Sequence, residues 1–187
     1  QDSRGDANGF DIDTSGYAIG YDIELTRGLT TGFAISYADS KVKVDNSFDS
    51  QTSDGYTGAI YGQYLFKNDY YSTAIVSYGQ NDNDSQRWVE NGYSEANFES
   101  DILSLRLAAG KKIWFGSLLL QPVLEFNYSD IAVDSYSESG SLAALSVDKQ
   151  DYNIVELGFG ATIGQNFEVG QTLIRPELKA AVYHDFQ

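Results

Sequence analysis

The residues able to do chemistry in this chain are few and scattered. Glu125, Glu156 and Glu177 share neighbouring segments with Arg106, Arg175 and Lys179. Such a set can hold ion pairs, grip a charged polypeptide segment or, beside a nucleophile, move a proton. No sequence-local motif identifies a nucleophile, so self-cleavage is not expected. Cysteine is absent, which removes disulfides, thiolate metal sites and Cys nucleophiles. His184 is the single histidine; two-histidine metal sites are therefore impossible, and its place among apolar positions makes it a bystander. Asn81-Asp82-Asn83-Asp84 has calcium-loop residue types without the glycine and distal glutamate of an EF-hand, and reads as a solvated loop tip. Arg4-Gly5-Asp6 reads as part of an acidic, Gly-rich approach to a strand. No catalytic residue, metal or cofactor is expected.

The elements that must position these groups follow from composition. A chain of 187 residues fits one domain, taken here as residues 1–187. With 27 Asp and Glu against 12 Lys and Arg, the net charge of −15 argues against a nucleic-acid partner, which needs a basic face. Fourteen Tyr, 10 Phe and 18 Gly with only 2 Pro suit many strands. The mean hydropathy of −0.33 suggests a water-soluble protein. That average misleads for a barrel, whose strands place apolar residues at every second position and never build the ~20-residue run of a membrane helix.

Sorting each segment by odd and even positions separates two faces. Tyr17, Ile19, Tyr21, Ile23 and Leu25 oppose Gly16, Ala18, Gly20, Asp22 and Glu24. Leu103, Leu105 and Leu107 oppose Ser104 and Arg106; Leu118, Leu120, Leu124, Phe126 and Tyr128 oppose Gln121, Glu125 and Asn127. Val155, Leu157, Phe159 and Ile163 oppose Glu156, while Ile174, Leu178 and Val182 oppose Arg175, Glu177 and Lys179. Eight strands result, the third and fourth with unsettled facing. Connections alternate between short ones, at 26–28, 67–69, 111–116 and 165–172, and long acidic ones, at 45–54, 81–100 and 130–151. Outer-membrane barrels pair short periplasmic turns with long external loops. A soluble sandwich or lipocalin-like barrel shares the alternation, but not this asymmetry, nor tyrosines at the strand ends of the apolar face: Tyr17, Tyr37, Tyr78 and Tyr128 form the expected interfacial girdle.

The expectation is an all-β, antiparallel transmembrane outer-membrane β-barrel, with Asp22, Glu24, Arg106, Gln121, Glu125, Glu156, Arg175, Glu177 and Lys179 facing the lumen. Four short turns against three long loops put both ends of the chain outside, unlike complete barrels. At least one strand is therefore expected before Gln1 and one after Gln187, and the first and last strands seen are not expected to pair.

Several stretches carry a family resemblance: Gly16-Tyr17-Ala18-Ile19-Gly20-Tyr21-Asp22, Gly32-Phe33-Ala34-Ile35-Ser36-Tyr37, Ile60-Tyr61-Gly62-Gln63-Tyr64, Val76-Ser77-Tyr78-Gly79-Gln80-Asn81-Asp82, and Arg175-Pro176-Glu177-Leu178 with Tyr183-His184-Asp185-Phe186. Together, in order, they resemble the translocator β-domain of autotransporters, the type V secretion proteins. The resemblance implies about twelve strands, of which strands two to nine are matched, and a helix threading the lumen. It further implies export of the protein's own passenger segment, with outer-membrane lipid and the barrel-assembly machinery as the other partners. A small adhesin or porin-like barrel acting through its loops is the alternative.

Overall fold

The computed structural model describes residues 9–45, 47–89, 92–170 and 172–186; Arg4-Gly5-Asp6 lies outside them. Eight through-going strands form one antiparallel sheet: β1 (Phe10–Thr26), β2 (Leu29–Val44), β3 (Ser50–Leu65), β4 (Tyr70–Val89), β5 (Gly92–Lys111), β7 (Leu118–Val133), β10 (Gln150–Gln165) and β13 (Glu177–Asp185). They are ordered as in the chain, each pairing with the through-going strand before it, so no connection crosses the sheet. Short β6 (Ile113–Phe115) adds to β7, and two small hairpins stand apart, β8 (Tyr136–Ser137) with β9 (Ser146–Val147) and β11 (Phe167–Val169) with β12 (Thr172–Ile174). No ladder joins β1 to β13 among the described residues, as expected from the turn count.

Alternation sets the two faces. Ile35, Ile60, Leu124, Phe159 and Leu178 stand on one side and are more than half exposed, while Ser94, Ala96, Glu125, Gly158 and Gly160 on the other are buried. The sheet thus curls around its polar, glycine-rich side, and an apolar wall faces outward, the inverse of a water-soluble barrel. The third and fourth strands, ambiguous by pattern, resolve: Tyr56, Ile60, Val76 and Tyr78 face out, and Tyr61, Tyr71 and Ile75 face in.

The short turns are made by residues that tolerate positive φ. Gly28 (+87°) closes β1 to β2, with Leu65 O where a Cβ would intrude, and Gly116 (+65°) closes the short β6 onto β7.

Three expectations about connections need correction. Much of 81–100 is not loop: β4 and β5 simply continue, 20 residues each, in unbroken register to Val89↔Gly92. A polar strand pair free of hydrocarbon satisfies its own backbone, so no apolar pattern is needed to sustain it. Asn81-Asp82-Asn83-Asp84 consequently lies within β4, and Asn83 is buried, its amide donating to Asn81 O, Phe98 O and Ser100 Oγ. Finally, Ile174 belongs to β12, outside the main sheet, because the chain turns through the β11–β12 hairpin before β13.

Candidate functional site

The lumen wall gathers its charges around Glu125, which is 3% exposed. Lys179 Nζ donates to Glu125 Oε1 at 2.8 Å and Arg106 lies 2.9 Å from the same oxygen, while the Tyr183 hydroxyl donates to Oε2. Two cations on one carboxylate leave the cluster locally positive. Arg106 and Lys179 keep nearly half their side-chain surface open, toward the lumen. Such a cluster can tie strands together and can also present N–H donors to an anionic group inside the barrel.

Glycine makes this geometry possible. Glu125, Gly158 and Tyr183 are successive ladder partners across β7, β10 and β13. The Tyr183 ring lies over Gly158, where any Cβ would collide with it, and so reaches the carboxylate. The same arrangement recurs where Tyr61 covers Gly32 and where Tyr71 covers Gly110.

The other lumen candidates divide. Glu156 takes a hydrogen bond from the Asn127 amide at 3.2 Å instead of an ion pair. Arg175 and Glu177 pair with each other at 2.7 Å above Gly164, apart from the Glu125 cluster. Gln121 faces in opposite Thr162, and Asp22 opposite Gly32. Glu24 accepts from Gly28 N at 2.9 Å and serves its own turn. Tyr183 and Asn127 were not among the expected site residues; a glycine directly opposite an inward tyrosine is the signal that would have found Tyr183.

The four tyrosines expected to form a girdle, Tyr17, Tyr37, Tyr78 and Tyr128, all face outward. Tyr17, Tyr37 and Tyr56 stand in one row with ring centroids 5.7 and 5.0 Å apart. Tyr37, Tyr78 and Tyr128 each donate to an Asp or Asn on the next strand, Asp54 at 3.5 Å, Asp101 at 2.8 Å and Asn153 at 3.0 Å. An aromatic ring on the apolar face with its hydroxyl held by an Asp or Asn side-chain oxygen is the arrangement an interfacial tyrosine needs. Exposed Tyr64, Phe66, Tyr70, Trp114 and Phe115 form a second aromatic band toward the short turns. His184 is outward, edge-on to Phe186 at 4.8 Å.

Above the girdle the wall turns acidic. Asp39, Asp54, Asp82 and Glu99 are successive ladder partners on the outer face. On the inner face at this level, the 134–149 connection docks against β4 and β5. Arg87 donates to Glu138 at 3.0 and 2.6 Å and to Ala143 O at 3.1 Å; Glu95 and Ser139 exchange backbone bonds at 2.9 Å; Phe98 and Tyr136 stack at 4.4 Å. The Arg87 hydrogen bonds, helped by the Leu145 N–H, hold the Glu138 carboxyl below its ordinary value against a desolvation that opposes them.

Comparison with known proteins gives these features a family. Solved translocator domains share the fold: that of the autotransporter NalP from Neisseria meningitidis superposes with a TM-score of 0.87 at 16% identity, covering 95% of this chain and 62% of that one. The β-domain of the Bordetella autotransporter BrkA follows at 0.80 and 14%, covering 96% and 75%. In sequence the chain is 29% identical to outer membrane protein A of Rickettsia conorii over 96% of its length, and 23% identical to the autotransporter CRAC of Citrobacter rodentium over 89%. It spans 10% of the length of each of these two curated relatives. The family model for the autotransporter beta-domain matches residues 1–187, so the chain belongs to the autotransporter beta-domain family and resides in the bacterial outer membrane.

Proposed function

We propose that this barrel anchors its own passenger segment in the outer membrane and helps export it to the cell surface. The observation that carries the reading is the division of one curled sheet into an apolar outer wall and a polar inner wall with the Glu125 cluster on it. Arg106 and Lys179, half open to the lumen, are the groups placed to touch a threaded segment. The role proposed is transport without a catalytic step.

Two parts of the reading concern what surrounds the sheet. In hydrocarbon each unpaired N–H or C=O costs several kcal/mol. We therefore propose that further strands of the native protein, in a barrel of about twelve, satisfy the edges of β1 and β13. The barrel-assembly machinery and outer-membrane lipid are the remaining proposed partners, the first during insertion and the second around the outer wall.

The test uses the full-length protein with an epitope tag upstream of Gln1. Surface labelling of intact cells should detect the tag when the barrel is present and lose it when the barrel is deleted. A full-length protein that displays nothing upstream, yet conducts ions or binds a ligand through its loops, would replace this reading with the porin-like or adhesin one.

A further inference from the structure

Among the described residues, the 134–149 connection is the external segment that folds onto the inner wall. Its docking residues, Arg87 on β4 and Ser94, Ala96 and Phe98 on β5, share the inward parity of Ser77 and Arg106 deeper in the same strands. Ser94 and Ala96 are 1% and 4% exposed beneath it. Ser141 Oγ meets Ser94 Oγ at 2.5 Å, and Arg87 grips Glu138 and Ala143 O. The backbone on both sides of Leu142 is thus pinned.

What the pinned backbone presents is unexpected for an acidic loop. Leu142 is fully exposed and Leu145 more than half, with Ala143 and Ala144 between them. The tip lies past the tyrosine girdle and on the inner side, so hydrocarbon does not cover it. A second copy would approach the outer face. What passes this position is whatever leaves the lumen, and the curated relatives carry most of their length outside this domain.

We propose that residues 142–145 form a docking ledge for the exported polypeptide, meeting its apolar side chains as the segment emerges, with the Arg87–Glu138 pair holding the ledge in place. This rests on the export reading above. A rigid apolar contact of few residues binds weakly and releases readily, as transit requires.

The test places a photoreactive phenylalanine analogue at Leu142 of the full-length protein in cells, with Asn97 on the outer face of the same hairpin as control. During a pulse of synthesis Leu142 should cross-link to the upstream part of its own chain and Asn97 should not. Arg87→Ala should lose the Leu142 cross-link while the barrel still runs as a heat-resistant folded band. Leu142→Ser with Leu145→Ser should slow the surface appearance of the upstream segment. Normal surface appearance with no Leu142 cross-link above the Asn97 level overturns the ledge, and an unaltered cross-link in Arg87→Ala overturns the latch. If the unsubstituted protein displays nothing upstream, the export reading fails first and takes the ledge with it.

Discussion

Lys179 reaches Glu125 at 2.8 Å although a whole strand, β10, lies between theirs. The contact passes over a stretch of β10 that carries Gly158 and Gly160, and it couples β13 to β7 independently of the ladders. In a double-mutant cycle of Glu125→Gln and Lys179→Gln, the coupling should fall near the lower end of about 0.5–3 kcal/mol, because lumen water screens the half-open ammonium. Denaturant unfolding of the full-length barrel in lipid measures it. Additive effects would mean that the pair contributes nothing as a pair.

Gly158→Ala should force the Tyr183 ring off its seat, since the added Cβ overlaps the ring carbons. Overpacking of this kind costs about 1–3 kcal/mol. Tyr183→Ala in the same chain should recover part of that loss; no recovery would point to backbone strain in β10 instead.

Leu105, Leu124 and Leu157 all lie on the outer wall, at ladder positions facing Tyr128, Phe159 and Phe126. Lysine at any of them should cost about 2–4 kcal/mol near the midplane, and less at Ser104 or Gln121 on the inner wall. Equal tolerance in refolding titrations would reverse the facing.

The row Asp39, Asp54, Asp82 and Glu99 sets like charges directly opposite one another. Such pairs are destabilising by roughly 0.2–1 kcal/mol each. Raising ionic strength should therefore increase amide protection in the outer part of β3 and β4, and Asp82→Asn should mimic the effect at low salt. Hydrogen exchange at the two salt concentrations checks both.

Glu138 is held below its ordinary carboxylate value of 4.5 in the folded protein. A depressed pKa contributes stability that is fully present above the ordinary value and is lost as pH falls through the lowered one. The docked loop should stay closed to added protease from neutral pH to about pH 5 and open only in stronger acid. Glu138→Gln should open it at neutral pH and flatten the dependence.

How much of this was legible beforehand varies by element. The eight strands, the outward apolar parity and the separation of β1 from β13 could be read, because a wall with lipid on one side enforces strict alternation along most strands. The facing of β3 and β4 could not, since Tyr61 and Tyr71 turn inward where Gly32 and Gly110 of neighbouring strands make room, and pattern alone cannot see a neighbour. The β4–β5 extension was hidden for a similar reason: beyond the membrane neither face is apolar, so a polar strand pair looks like loop. Within the candidate site, Glu125 with Arg106 and Lys179 was foreseeable as opposite charges on one face. Arg175 with Glu177 and Glu24 with Gly28 N turned out local, because a residue two or four positions away is reached before one on another strand.

The girdle also fixes a direction that the ladders do not. Starting at Tyr17 and moving straight across ladder partners leads through Tyr37, Tyr56, Gln80 and Asp101 to Ala132, yet the girdle tyrosine on β7 is Tyr128, four residues nearer the periplasmic end. At about 3.3 Å per residue and 4.8 Å per strand, that stagger corresponds to strands inclined by roughly 30°. The membrane's level line therefore runs diagonally across the sheet. Arg106, Glu125 and Lys179 step in the same sense: the ladder partner of Arg106 is Asn127 but its ion pair is with Glu125, and Glu125, whose ladder line leads through Gly158 to Tyr183, reaches Lys179 as well as Tyr183. The ionic cluster is thus a short arc of hoop around the wall. Ladder bonds keep strands from parting, whereas a hoop set oblique to them keeps strands from sliding along one another.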